Sequence, residues 1–585
     1  MRSTLLAFAC LAVITESFLR APSTHTHTHT FCTSPQRAAP LYAAFKSDDL
    51  VDDSEVLIIG SGLAGLSCAA LLAHTGHRVT VLESHDTVGG CAHGWERLGY
   101  HFESGPSLYS GLSVSPSPNP LKNIFQIIGE EPDWITYDRW GTALPEGKFA
   151  AKIGPEEFDG VLEKYGGPGA KEDWAKIIGR ITAPGGLAEA AQSIPALALR
   201  EDIGAVFSLG KYWRELISTL KYGRELQNSF STIRDELGIT NKFVLNWLDM
   251  LCFLLQGLPA EGTLNAVIAY MLADWYRPGV LLDFPKGGSG AIVDALVRGI
   301  RKNGGRVIAN SHVEEVHVEN GVAVGVTVRN QRSKEHVRLG ASKAVVSNID
   351  MWASRKLVPT GACEAFDTYM DGMLVGTPKL ASFIHLHAGI DAEGLPKVAS
   401  EDFPTQWAAI KDWNMPGGVE SPRNVVLVSM PSLIDPSLAP PGKHVIHAYV
   451  PATELYADWE GMDRSSEEYK LKKAEAADFL WAAVEQYVPN ARQRSDKRVE
   501  QIGTPLSHER FLRRQYGTYG PRIVAGEQTL PGHKTPLKNF LMTGDFTFPG
   551  VGVPAAASSG AITANSIMSV RQHLQILEEL RAKNV

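Results

Sequence analysis

Cysteine is scarce and scattered. Six occur in 585 residues; Cys10 and Cys32 fall near the start, and Cys68, Cys91, Cys252 and Cys363 lie far apart with no C-x-x-C spacing. That pattern argues against a disulfide framework or a structural zinc site, and for a reducing compartment. There is no arginine-rich run and the net charge is -8, so no basic surface is on offer and nucleic acid is excluded as a partner. No apolar run is long enough to cross a bilayer. Leu5 to Ile14 is too short, and the most apolar helical stretch, Phe243 to Ala273, is interrupted by Asp249, Gln256, Pro259 and Glu261. No internal repeat is visible. A hydrophobic content of 44% and a charged content of 21% are those of a globular protein, and the length suits two interleaved domains plus a presequence.

What is present lies mostly at the two ends. Val56-Leu-Ile-Ile runs into Gly60-Ser-Gly62-Leu63-Ala64-Gly65, an apolar strand followed by a glycine turn and a helix start. In such a fingerprint the first glycine makes the turn, the second lets backbone approach a pyrophosphate, and the third lets helix and strand pack closely. The phosphates sit on the helix N-terminus, where free N–H groups and the dipole favour negative charge. A second strand, Arg78 to Leu82, ends in Glu83, placed to bind the adenosine ribose hydroxyls, and Gly89-Gly90 follow. Near the other end, Phe540-Leu-Met-Thr-Gly544-Asp545 leads through Phe548-Pro-Gly550-Val-Gly552 to Val553 and a small-residue helix over Ala555 to Met568. Together these read as two halves of one FAD site. The predicted cofactor residues are Gly60, Gly62, Leu63, Ala64, Gly65, Glu83, Gly89, Gly90, Val313, Gly544, Asp545, Gly552 and Val553. Gly287-Gly288-Ser289-Gly290 lacks a preceding strand in this reading, so no NAD(P)H site is evident and the electron donor for flavin reduction is unassigned.

The flavin-binding parts are discontinuous, and the intervening chain forms an inserted substrate domain. The expected division is a signal peptide over 1–17, a transit segment over 18–50, an FAD-binding domain over 54–115, 280–350 and 535–575, and a substrate-binding domain over 116–279 and 351–534. The leader rests on Arg2 before an apolar run, then an acid-poor, hydroxyl-rich tract, and resembles a bipartite algal plastid presequence. Its Thr24-His-Thr-His-Thr-His-Thr30 tract reads as a cleaved linker rather than a metal tract. Within the folded part, a helix over Ala291 to Lys302, a strand at Arg306 to Ala309 and a hairpin around Asn320-Gly321 are predicted. Pro116 to Arg277 reads as mainly helical. The apolar stretch Phe243 to Ala273 is chiefly core, with some residues lining a long apolar pocket or a patch dipping into a membrane. Ser382 to His387, Asn424 to Met430 and His444 to Val450 read as strands of a sheet over the flavin, followed by a helix over Ser466 to Tyr487. His385 and His387 share one strand face; with His444 and His447 they read as satisfied sheet histidines rather than metal ligands.

Longer strings carry a family resemblance. Phe284-Pro-Lys-Gly-Gly288, Pro431-Ser-Leu-Ile-Asp435, Asp458-Trp-Glu-Gly461, Gly503-Thr-Pro505, His508-Glu-Arg-Phe-Leu512, Gly517-Thr-Tyr-Gly-Pro521 and Gly544-Asp545 through Gly550 resemble the carotenoid cis–trans isomerases. These are flavoproteins related to bacterial-type phytoene desaturases and, more distantly, to retinol saturases and amine oxidases. The resemblance implies an α/β fold of amine-oxidase type, with a Rossmann-like FAD domain and an inserted α+β substrate domain. It also implies that Asp545 lies at the flavin's ribityl–pyrophosphate region. Three departures, Val551, Phe546 and Phe102-Glu-Ser-Gly-Pro-Ser107, point to a diverged paralogue.

A carotenoid substrate offers no polar handle along its polyene, so recognition must come from an apolar tunnel. The expected chemistry is redox-neutral, through transient protonation of the polyene by reduced flavin or an acid. Rotation of the cation gives isomerisation; capture by water on an acetylenic xanthophyll gives an allenic alcohol. Acid/base candidates are Asp274, Glu261, His508 and Arg514, with Arg510 beside them. A plastid location with peripheral membrane contact accompanies this reading. The alternatives are a desaturase or saturase using a quinone or other electron carrier, and a non-catalytic flavin- or pigment-binding protein.

Overall fold

The computed structural model describes residues 54–105, 108–154 and 157–584. The leader and its histidine tract lie outside the described residues.

The first layer is a five-stranded parallel sheet of β1 (Val56–Ile59), β2 (Val79–Leu82), β3 (Arg306–Ile308), β4 (Ala344–Ser347) and β5 (Phe540–Met542). Its spatial order is β3-β2-β1-β4-β5. β1 and β2 are buried along their whole length, as expected of a sheet covered on both faces. Val56 and Ile58 point into a cluster with α1 (Leu63–His74), α2 (Gly290–Lys302) and α3 (Val553–Ile567). Leu57 and Ile59 point the other way, into a cluster with Val313, Val316, Val326 and Val328. Those residues belong to a three-stranded antiparallel sheet of Ser311–Glu319, Val322–Asn330 and His336–Gly340. Its first turn is made by Asn320 and Gly321, at φ 50° and 73°, the backbone signs that an Asn-Gly hairpin turn requires.

Strand order decides where a ligand can sit. After β1 the chain moves to β2 and β3 on one side, then returns to β4 and β5 on the other. The crevice between β1 and β4, at the carboxyl ends of the strands, is the switch point where doubly wound sheets bind ligands.

A second sheet has seven strands in the order Gln501–Gly503, Ser382–Asp391, Lys443–Glu454, Val425–Ser429, Gln406–Ile410, Arg139–Leu144 and Gly147–Lys152. All neighbours are antiparallel except Gln406–Ile410 with Arg139–Leu144. The segment read as mainly helical therefore also contributes two strands to this sheet, because Trp140 and Ala151 pack into the helical core from the sheet side. Ile384, Leu386 and Ala388 face the helix Glu467–Val484, which Ser466 caps by accepting from the Tyr469 N–H. His385 and His387 consequently face the opposite way.

The strand-less reading of Gly287 to Gly290 needs correction. Leu282–Pro285 is a strand, antiparallel within a small separate sheet. At the α2 start the Gly287 N–H donates to Asp435 (2.7 Å) and the Ser289 N–H to Glu103.

Candidate functional site

The crevice opens into a cavity of about 1830 Å³. Gly60, Gly62, Leu63 and Ala64 line it after β1, Glu83 after β2, Asn348 after β4, and Gly544 and Asp545 after β5. Gly89, Gly90, Val313, Gly552 and Val553 also reach its wall. Gly65 sits behind them: a Cβ there would lie 2.5 Å from the Gly60 carbonyl oxygen and 2.6 Å from Asn348 Nδ2. All the residues predicted to hold the cofactor are thus brought together around one crevice.

The cradle fits a dinucleotide on its chemistry. α1 begins after Gly62 and α3 after Gly552, and no side chain caps either. Two helix N-termini with uncapped N–H groups therefore meet the same cavity, an arrangement that attracts phosphate. Glu83 Oε2 accepts from the Ser61 N–H (2.9 Å) and Ser61 Oγ (2.5 Å), and Oε1 accepts from the His85 N–H (2.7 Å). These bonds hold an acceptor group at the end of β2, where a ribose diol would meet it.

Sequence reading missed two supports. Asn348 donates through Nδ2 to the carbonyls of Gly60 (3.1 Å) and Gly62 (3.3 Å), fixing the turn from the neighbouring strand. Ser559, nearly two turns into α3, accepts from the Gly544 N–H (2.8 Å) and contacts the hydroxyls of Thr543 and Thr547. The available signal was position: a polar side chain just beyond an apolar parallel strand faces the crevice.

The four proposed acid/base residues separate. Asp274 is buried, lines the cavity and is paired with Arg277 at 2.9 Å. Glu261 does not line it. Its side chain is 65% exposed and paired with Arg234 at 2.6 Å, because the loop after Gln256 turns it outward. Arg514 lines the cavity and donates to Asp545 Oδ2 (2.7 Å) and the Tyr519 carbonyl (3.1 Å), with its guanidinium 5.0 Å from the Phe546 ring centre. Burial is the largest single influence and opposes its charge, but Asp545, Cys91 and Asp350 together outweigh it and hold Arg514 above its ordinary range. Arg514 is therefore a fixed cation, unable to act as an acid. His508 lines the cavity and is pushed down to about 3, chiefly by burial. It is neutral and available as a base.

His444 fulfils the satisfied-histidine reading, bonding Ser432 Oγ (3.0 Å) and the Pro396 carbonyl (3.2 Å). The other sheet histidines do so only in part. His387 Nε2 bonds the Glu103 carbonyl at 2.9 Å, while His385 Nε2 and His447 Nδ1 are buried without a partner. Among the described residues His385, His387 and His447 place ring nitrogens within 4.8 Å of one another, the one grouping able to hold a metal ion. Behind them burial pushes the Glu103 carboxyl up to about 7, against the Ser289 N–H that it accepts.

Beyond the cradle the cavity walls are apolar: Trp140, Leu251, Leu254, Leu255, Val267, Met271 and Trp275. Of the stretch Phe243 to Ala273, Phe243, Trp247, Phe253 and Ile268 are core, and Leu251, Leu254, Leu255, Val267 and Met271 line the cavity. For this stretch the pocket alternative holds.

A parallel sheet with a dinucleotide crevice at its switch point, backed by a second sheet and a large apolar cavity, defines an FAD-dependent enzyme. The chain belongs to the flavin containing amine oxidoreductase family, whose model matches residues 63–568. It is 28% identical over 537 residues to a chloroplastic prolycopene isomerase of Daucus carota, covering 88% of this chain and 80% of that protein. It is 25% identical to an all-trans-retinol 13,14-reductase of Danio rerio, covering 92% and 89%. A solved oxidoreductase from Methanosarcina mazei shares the fold at a TM-score of 0.55 and 18% identity, covering 86% of this chain and 98% of that one.

Proposed function

We propose that the protein carries out a redox-neutral, FAD-dependent transformation of a plastid carotenoid, either cis–trans isomerisation or hydration of an acetylenic xanthophyll to an allenic one. The observation that carries the reading is the apolar cavity opening directly off the flavin cradle. The likeness to a chloroplastic prolycopene isomerase supports the substrate class and the compartment. When bound in its reduced form, the flavin supplies an electron-rich ring and exchangeable protons. The chain's own part is to hold the polyene against that ring and keep bulk water out. Trp140, Leu254, Met271 and Trp275 give the polyene dispersion contact without direction, so that it can slide until one bond is in register. Arg514 and Asp545 keep the flavin side of the cavity charged but internally neutralised. The Asp545 carboxylate, engaged by Arg514, is not free to trap a polyene cation there before it rotates or meets an admitted water.

The likeness to a retinol reductase favours net reduction as the second reading. One experiment separates the two. Anaerobically reduced protein is given prolycopene or an acetylenic xanthophyll, and product is counted against flavin oxidised. Many turnovers per flavin, with deuterium entering from heavy water, are expected; one product per electron pair, or strict need for an acceptor, defeats the proposal.

Contact with a bilayer forms part of the same proposal. No helix among the described residues is long and apolar enough to cross a membrane. Ile203, Phe207, Trp213, Ile217 and Leu220 are nonetheless 87%, 60%, 54%, 60% and 56% exposed. Arg214 and Lys221 lie among them, exposed as well. Trp213, Ile217 and Leu220 recur at helical spacing on Trp213–Gln227, whose other side lines the cavity through Thr219, Gly223 and Leu226. A lipid surface with anionic headgroups fits this face, and a pigment leaving the acyl region would enter beside it. Ile217→Glu with Leu220→Glu is expected to reduce co-sedimentation with anionic vesicles at least tenfold, leaving flavin content unchanged. Unaltered sedimentation would remove the docking face.

A further inference from the structure

Strands Ser382–Asp391 and Lys443–Glu454 pair so that His387 stands opposite His447 and His385 opposite Tyr449. His385 and His447 are diagonal neighbours on the face turned away from helix Glu467–Val484. His385 Nδ1 and His447 Nε2 lie 2.7 Å apart, with ring centres 4.9 Å apart and planes 23° from parallel. That is an edge-to-edge hydrogen bond between imidazoles, in which one nitrogen carries the proton and the other the lone pair. The outer nitrogens, His385 Nε2 and His447 Nδ1, are buried and unpartnered. A buried nitrogen without a partner carries a desolvation cost and calls for a role. His385 lines the cavity, beside Phe383, Tyr449 and His508, whose ring centre is 4.6 Å away. The fixed cation nearby, Arg514, is committed to Asp545. Burial holds His385 and His447 well below the ordinary imidazole range, and His387, His447 and His508 add to this at His385. The resting pair is neutral.

We propose that His385 and His447 form a proton-relay pair for the cavity, with His385 Nε2 as the group that exchanges a proton with the reacting polyene or its water. His447 is the positioning residue that fixes the tautomer of His385. The proposal rests on the redox-neutral reading above. In isomerisation the proton added to one polyene carbon is matched by the proton that His385 Nε2 recovers as the same carbon's C–H bond breaks and the double bond re-forms. In hydration His385 Nε2 takes the O–H proton of the water as its oxygen bonds to the cationic carbon. In either case the Nδ1 proton of His385 moves along the bond to His447 Nε2, spreading the charge over both rings. No electrons leave the pair or the substrate; the proton the pair takes up passes on to solvent, which matches the one the polyene received and restores the neutral pair. A neutral imidazole on the cavity wall with a bonded partner behind it can do this, whereas Asp274 is held in an ion pair with Arg277.

The test compares wild type, His385→Gln and His447→Phe, reduced and loaded with FAD, on prolycopene and on an acetylenic xanthophyll. Flavin absorbance and melting temperature report folding. With flavin content intact, His385→Gln is expected to lower kcat by about 10²-fold to 10⁴-fold and to stop deuterium entering from heavy water. His447→Phe keeps a ring in place, and is expected to lower kcat about tenfold, leave KM unchanged and shift the acid limb of the pH profile. Wild-type turnover and deuterium uptake in His385→Gln would overturn the relay while leaving the redox-neutral reading standing. A wild type that turns over only with an electron acceptor overturns that reading and the relay together. One equivalent of zinc in the purified protein, lost in both variants, also overturns the relay, because metal-bound nitrogens cannot carry the proton.

Discussion

Gly65→Val is expected to give a folded but colourless protein. The argument is steric. A Cβ at Gly65 would fall 2.5 Å from the Gly60 carbonyl oxygen and 2.6 Å from Asn348 Nδ2. Neither neighbour is the loose end of a flexible chain: the first is backbone, and the second is tied to the Gly60 and Gly62 carbonyls. Two further branches on valine leave one remedy, movement of α1 away from β1. That shift carries the uncapped N–H groups at Leu63 and Ala64 out of reach of a pyrophosphate. Moving packed elements apart costs about 1–3 kcal/mol in an overfilled core, which a protein of this size withstands, whereas the phosphate site depends on tenths of an ångström. FAD affinity is expected to fall more than a hundredfold, read by the flavin absorbance of the purified protein and by titration of the stripped protein. Gly65→Ala should lie between the two. Full flavin occupancy in Gly65→Val would mean that the cofactor does not rest on the α1 terminus.

The cofactor half of the site was legible because its signals are local. A short apolar strand, three glycines and a helix start specify one turn, and a strand that ends in Glu83 needs no knowledge of the remainder. The hairpin at Asn320 and Gly321 was legible for the same reason. The reacting half was not. His385 and His447 lie 62 residues apart and meet through a sheet register; on their strands they look like any polar residue alternating with apolar ones. Glu261 and Asp274 look equally available along the chain, yet one faces solvent and the other the cavity. The strand Leu282–Pro285 was hidden because its partners are non-local and antiparallel. The exposed face at Ile203 to Leu220 carries fewer apolar residues than the buried stretch Phe243 to Ala273. Hydrophobicity summed along the chain therefore pointed to core, and only the fold shows which apolar face has no neighbour.

Asp545→Ala is expected to destabilise the protein by about 1–3 kcal/mol, the cost of leaving a part-buried donor without its acceptor. Arg514 is 15% exposed and Asp545 23%, and they meet at 2.7 Å. Arg514 has few alternatives. It keeps the Tyr519 carbonyl and the Phe546 face, the remaining carboxylate, Asp350, attracts it only through space, and its Nε is already without a partner. The substitution therefore leaves a desolvated guanidinium beside the crevice and also draws the Gly544 turn away from Ser559. The companion double variant, Arg514→Met with Asp545→Ala, decides whether the cost is an unpaired charge or a lost shape. With the charge gone the apolar Met stem still covers Phe546, and at least half of the lost stability should return, since the desolvation cost belongs to the charge rather than to the volume. Thermal unfolding of the flavin-free proteins gives the comparison without interference from cofactor binding. Equal melting temperatures for Asp545→Ala and the double variant would show that the pair matters for the turn it holds and not for its charge. Arg514 would then have enough water around it to act on a substrate, and its place as a fixed, silent cation would have to be given up.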